Sequence, residues 1–266
     1  MVFRTPLSEY KTALMMKKIF FLAASAALLL AATCRDDEGS PIEPIEMNFK
    51  GTFDNAPLVM YESAYPYEAG MAVKLQLFQF YLSNISLQRE DNSFVLLKDV
   101  ALVSFKDILT QVAAAEGITL KLDAPPAGHY KAIRMGIGVA PNLNSTNPAN
   151  YTPPHPLDDN YWSAATGYVF TKIEGNADTV GNGQFTAKLT FHSGANEIYK
   201  EKTFEKHVEV KEGAPLQLSF SVDLKKVLSK GPDNFLNFRL ITQDHSNNPA
   251  VYTFIADNLF DALVLE

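Results

Sequence analysis

The sequence predicts an all-β domain, an antiparallel β-sandwich or flattened barrel carrying one or two short helices. Three observations lead there. Apolar and polar residues alternate with period two in several segments, Gly, Pro and Asn clusters punctuate those segments at short intervals, and few stretches show helical spacing.

The chain opens with a segment that is not part of that domain. Met16-Lys17-Lys18 begins a basic region, and Ile19 to Ala32 is an uninterrupted run of small and apolar residues, so residues 1–33 read as an export signal whose translation starts at Met15 or Met16. The run is too short to span a bilayer comfortably. It ends in Leu30-Ala31-Ala32-Thr33-Cys34, which resembles a bacterial lipobox and predicts Cys34 as an acylated first mature residue. As the only cysteine in the chain, it also rules out an intrachain disulfide. Residues 34–45, with Arg35-Asp36-Asp37-Glu38 near their start, form an acidic tether, and residues 46–266 form a single domain. The expected location is the outer membrane, anchored by lipid on the periplasmic or the cell-surface side.

Removing residues 1–33 takes away four basic groups (Arg4, Lys11, Lys17, Lys18) and one acid (Glu9), and the formal charge moves from -7 to -10. A surface that acidic excludes nucleic acid as a partner, because phosphates require basic patches.

Within the domain, the odd positions Val73, Leu75, Leu77, Tyr81, Ile85 and Leu87 are apolar while Lys74, Gln76, Asn84, Ser86 and Gln88 occupy the other parity. Phe78, Phe80 and Leu82 break the polar face, so this strand is covered on both sides. A short helix is expected over Asp107 to Ala115. Ile118, Leu120 and Leu122 alternate up to a turn at Pro125-Pro126-Ala127-Gly128, after which His129 to Val139 reads as the next strand. Ala140 to Asn160 holds several prolines and asparagines, which excludes a central strand and predicts a large surface loop. Phe185 to Phe191 and Leu216 to Val222 repeat the period-two pattern. Asp223 is placed to cap a helix at Leu224 to Ser229, and Asn234 to Glu266 reads as strands with a short terminal helix.

Common catalytic signatures are missing. The chain has no Gly-x-Ser-x-Gly elbow, no His-Glu-x-x-His and no phosphate-binding Gly-x-x-x-x-Gly-Lys loop. Asp158-Asp159 are adjacent in a loop and set no defined carboxylate separation for a glycosidase. The expectation is therefore a protein that is not an enzyme.

One ordered set of motifs points to a chemistry. Tyr81 to Ile85 reads Tyr-Leu-Ser-Asn-Ile, and Gly128-His129-Tyr130 leads to Gly136-Ile137-Gly138-Val139 and Asn144. His155-Pro156-Leu157 and Tyr161-Trp162 follow, then Gly167-Tyr168-Val169-Phe170-Thr171-Lys172-Ile173-Glu174-Gly175 and Phe191-His192-Ser193-Gly194. In this order the set, spanning roughly Met47 to Gly194, resembles the MbnP-type copper-binding proteins, with one departure at Ala164, where relatives often carry a second aromatic.

The resemblance implies copper held by histidine together with an oxidised tryptophan. Trp162 is the only tryptophan, and His155 and His192 are the implied imidazole ligands, with His129 as a weaker candidate. Indole is a poor metal ligand because its nitrogen lone pair belongs to the ring, whereas opening to kynurenine creates an aryl amine that suits copper alongside neutral imidazoles. No Cys-x-x-Cys-His haem motif is present, and the resemblance implies a separate dihaem cytochrome c peroxidase-like partner that oxidises Trp162. Read alone, His207 lies among charged neighbours as a solvated residue, and His245, beside Asp244 and Asn247 in a polar loop, ranks below His129 as a ligand; Asn144, Tyr168 and Glu174 read as scaffold. The alternative from another class is a non-catalytic surface module for glycan or protein adhesion, in which Tyr151, Tyr161, Trp162 and Tyr168 stack on sugar rings without a metal.

Overall fold

The computed structural model describes residues 42–266; the expected signal at 1–33, Cys34 and most of the acidic tether lie outside the described residues. The strands are β1 (Ile45–Phe53), β2 (Ala56–Pro57), β3 (Ala64–Pro66), β4 (Ala72–Arg89), β5 (Phe94–Ser104), β6 (Ile118–Leu122), β7 (Gly128–Ile137), β8 (Tyr161–Ser163), β9 (Gly167–Tyr168), β10 (Thr171–Asp178), β11 (Ala187–Ser193), β12 (Lys200–Val210), β13 (Gln217–Asp223), β14 (Gln243–His245) and β15 (Leu263–Leu265). Four α-helices accompany them among the described residues: α1 (Gln111–Glu116), α2 (Pro141–Asn144), α3 (Leu224–Leu228) and α4 (Pro249–Ala262).

Two sheets face each other, as the sandwich reading predicts. The larger runs β12-β7-β4-β10-β11-β14, with β3 and β5 also paired to β4; the smaller runs β15-β13-β1-β2, with β6 also paired to β1. Period-two patterning explains the core between them. Phe49 and Phe220, side by side on β1 and β13, stack at 5.1 Å; Phe204 of β12 meets Phe220 edge-on at 5.3 Å and Phe80 of β4 meets Phe49 at 6.5 Å, so four rings join the two sheets. Burying each such ring stabilises the fold by about 1.5–3 kcal/mol.

The sheets are mixed rather than wholly antiparallel. β1 runs parallel to β13, and β11 runs parallel to β14. Such pairs need long crossovers, here the chain between residues 53 and 217 and the stretch from 193 to 243 that contains β12, β13 and α3. No local pattern announces them.

The opposite face of the larger sheet is also covered. Phe80 points into the main core while its neighbour Tyr81 belongs to a second apolar cluster with Val139, Leu157, Tyr168, Phe170 and Tyr252. Residues 140–160, expected as a large surface loop, contain α2 and lie against that face: Leu157 is buried and Tyr81 donates its hydroxyl to Pro156 O at 2.6 Å.

The helices differ from expectation at their edges and in number. Thr110 caps α1, which starts later than Asp107 because the Thr110 side chain accepts from Ala113 N–H. α3 forms where expected, with Asp223 accepting from Lys225 N–H. The terminal helix α4 has 14 residues and begins with Asn248 as cap and Pro249 at its first position.

Candidate metal centre

Trp162, His192 and His245 come together on the face of the larger sheet that points away from the main core. His192 alternates with the core residue Phe191 along β11, and the parallel ladder pairs it with His245 of β14. In-register neighbours share a face about 4.8 Å apart, and the two imidazole centroids stand 4.9 Å apart at 82°. Trp162 arrives on the β8–β9 hairpin. Its indole stacks on His245 at 5.5 Å and 6° and meets His192 edge-on at 6.5 Å.

Backbone constraints fix each of the three. Ser246, in a left-handed conformation, donates its hydroxyl to His192 O at 2.9 Å and accepts from Gly194 N–H at 2.8 Å, which clamps the end of β14 to β11. Just before it, Asp244 accepts from the N–H groups of Asn247 and Asn248 and ties β14 to the start of α4. The hairpin is held by Asn144, whose amide donates to Thr166 O and whose oxygen accepts from Tyr168 N–H at 2.7 Å. Gly167 lies between those two contacts with φ of +74°, and a Cβ there would press into the Asn144 amide. Buried Asn160 anchors the hairpin entry, accepting from Gln79 and donating to Tyr81.

Two features give the cluster its chemical character. The Nδ1 atoms of both His192 and His245 are buried and lack a hydrogen-bond partner, whereas buried polar atoms are normally satisfied. His192 Nε2 lies 2.7 Å from Glu174 Oε1, reached diagonally from β10. Burial lowers the His192 pKa below its ordinary 6.5; the hydrogen bond and charge of Glu174 pull it upward, while Lys172 and His245 push it down. The net effect favours the neutral imidazole, the form that binds metals. Its side chain is 13% exposed, whereas Trp162 is 54% exposed. The indole is thus open to an external reagent while the imidazole beneath it is sheltered.

The other sequence candidates lie elsewhere. His155 does not join the cluster: it caps a short 3-10 turn, its Nδ1 accepts from Leu157 N–H, its ring stacks on Tyr151 at 4.3 Å, and it lines a separate groove with Lys98, Leu120 and Asp158. The physical reason is Asn160, whose left-handed turn (φ +67°) redirects the chain between His155 and Trp162. His129 is 73% exposed and faces Glu209. His245, set aside in the sequence as a polar-loop residue, takes the place beside Trp162. Of the four aromatics of the adhesion alternative, Tyr168 is fully buried and Tyr151 stacks on His155, while Tyr161 and Trp162 are exposed.

Among the described residues no three His, Cys, Asp or Glu side chains converge as a ready metal site. Two imidazole nitrogens are available, and the third neighbour is an indole.

The solved structure of MbnP from Methylosinus trichosporium is similar over 72% of this chain and 80% of that one, with 18% identity and a TM-score of 0.47. No curated protein matches. The family model MbnP matches residues 42–249, from the first described residue to the opening of α4 and across every element of the cluster; the chain belongs to the MbnP family.

Proposed function

We propose that this protein binds copper at Trp162, His192 and His245, as a lipoprotein anchored to the outer membrane through Cys34 on its periplasmic or cell-surface side. His192 and His245 supply Nδ1 donors, and a third nitrogen comes from Trp162 after its indole is oxidised to kynurenine by a dihaem cytochrome c peroxidase-like partner. The protein is the partner's substrate rather than an enzyme. The observation that carries this reading is the pair of buried, unpartnered imidazole nitrogens beside the single, solvent-open tryptophan. Nitrogen donors of this kind suit copper, and neutral imidazole is the required form. His155, implied by the family resemblance, is replaced by His245 in this proposal because only His245 shares a face with His192.

With two equivalents of hydrogen peroxide consumed at the haem partner, cleavage of the indole C2–C3 bond adds two oxygen atoms and releases two waters, and hydrolysis then removes one carbon as formate, freeing the aryl amine. Protein co-expressed with the haem partner is expected to carry that change, one carbon lost and one oxygen gained, on the Trp162 peptide alone and to take up one copper per chain. An unaltered Trp162 peptide together with no copper uptake would refute the reading.

A further inference from the structure

We infer that Glu174 is a positioning residue that fixes which nitrogen of His192 faces the metal site. The inference rests on the copper reading for its purpose, but its geometry stands in the metal-free protein. A carboxylate accepts hydrogen bonds and donates none. At 2.7 Å from Glu174 Oε1, the Nε2 of His192 must therefore carry the proton, which in the neutral ring leaves the lone pair on Nδ1. That Nδ1 is the buried atom without a partner, and the Nδ1 of His245 across the parallel ladder is in the same state.

The sheet makes the arrangement rigid. Lys172 lies directly opposite His192 and Glu174 opposite Thr190, so Glu174 reaches His192 on the diagonal from a strand paired on both sides, to β4 and to β11. Gly175 follows Glu174 where β4 and β10 slip register, and a Cβ there would collide with Lys74 O. The irregularity therefore falls next to the carboxylate that holds the imidazole. Outer carboxylates of this kind set both the tautomer and the orientation of a metal-bound histidine.

The test uses the purified full chain, first without metal. In nitrogen-15 NMR, His192 is expected to be protonated at Nε2 with a slowly exchanging proton. Glu174→Ala should lose that protected proton, and Glu174→Gln should keep it, because the Gln oxygen still accepts. Copper(I) titration against a competing chelator then reads affinity: Glu174→Ala is expected to weaken binding roughly 10- to 100-fold, with Glu174→Gln recovering most of it. Protonation of metal-free His192 at Nδ1, or a Glu174→Ala variant that loses the proton yet binds copper as tightly as the parent, overturns the positioning role. A parent protein that takes up no copper overturns the metal reading instead, while the NMR result still decides whether Glu174 holds His192.

Discussion

Replacing Gly167 with alanine tests whether the hairpin that carries Trp162 is built as described. Two costs can be separated. Gly167 has φ of +74°, and placing a residue with a Cβ in that region costs about 1–3 kcal/mol. The new Cβ would also lie 2.5 Å from Asn144 Cγ and closer still to its oxygen, so the amide must move. Moving it breaks the acceptor bond from Tyr168 N–H, and leaving a buried group of this kind unpaired costs about 1–3 kcal/mol more. The expected loss is about 2–6 kcal/mol in urea unfolding. Gly183 supplies the control: its φ is +81° but nothing lies within 4 Å of an added Cβ, so Gly183→Ala should show the conformational cost alone. Trp162 is the only tryptophan, so its fluorescence also reports locally, and its emission should change in Gly167→Ala and stay unchanged in Gly183→Ala. If the two variants lose equal stability and leave the emission alike, Asn144 does not hold the hairpin.

Copper titration of single variants separates the histidines. His192→Ala and His245→Ala should each weaken binding by more than the roughly 10- to 100-fold that loss of an outer partner costs, whereas His155→Ala and His129→Ala should bind as the parent does; a large loss in His155→Ala would move the site. In the metal-free protein, His192 titrates below 6.5 because it is buried. Between 6.5 and that lower value the unfolded chain binds the proton and the folded one does not, so stability should fall as pH drops through this window and level off below it. Glu174→Gln removes an upward pull and should lower the His192 titration further by NMR; an upward shift would contradict the assigned causes.

The strands were legible because their signal is local. Val73 to Leu87, Phe185 to Phe191 and Leu216 to Val222 carry a parity that one buried face imposes, and β4, β11 and β13 form there. The cap at Asp223 was legible for the same reason. The start of α4 is written locally, since Asn248 followed by Pro249 is a helix-start signal, but the sequence reads only a short terminal helix where 14 residues form.

The candidate centre was half legible. Trp162 and His192 stand in motifs, and His192 occupies the polar parity of its strand, which reads as solvent-facing. What shelters it is the neighbouring β14 and the hairpin above, both of which reach it through pairings distant in sequence. His245 belongs to a three-residue strand at the sheet edge, too short for any period to register. Conversely, His155 lies near Trp162 in sequence, and that nearness is misleading because a single left-handed residue, Asn160, turns the chain between them.

Under the proposed function, that contrast explains how a copper site can arise where the standard ligands alone do not form one. A complete set of three donors would bind metal as soon as the fold closed. Here two sheltered nitrogens are fixed by the sheet, one by Glu174 and the β10–β11 ladder and both by the Ser246 clamp, while the third position is an indole that cannot coordinate. The pair of nitrogens is buried, and the exposed ring is the part an outside oxidant can reach. Under the proposed function, loading is therefore conditional on a covalent event at Trp162. The division between a rigid buried pair and an accessible aromatic follows from which strand face and which hairpin each residue occupies.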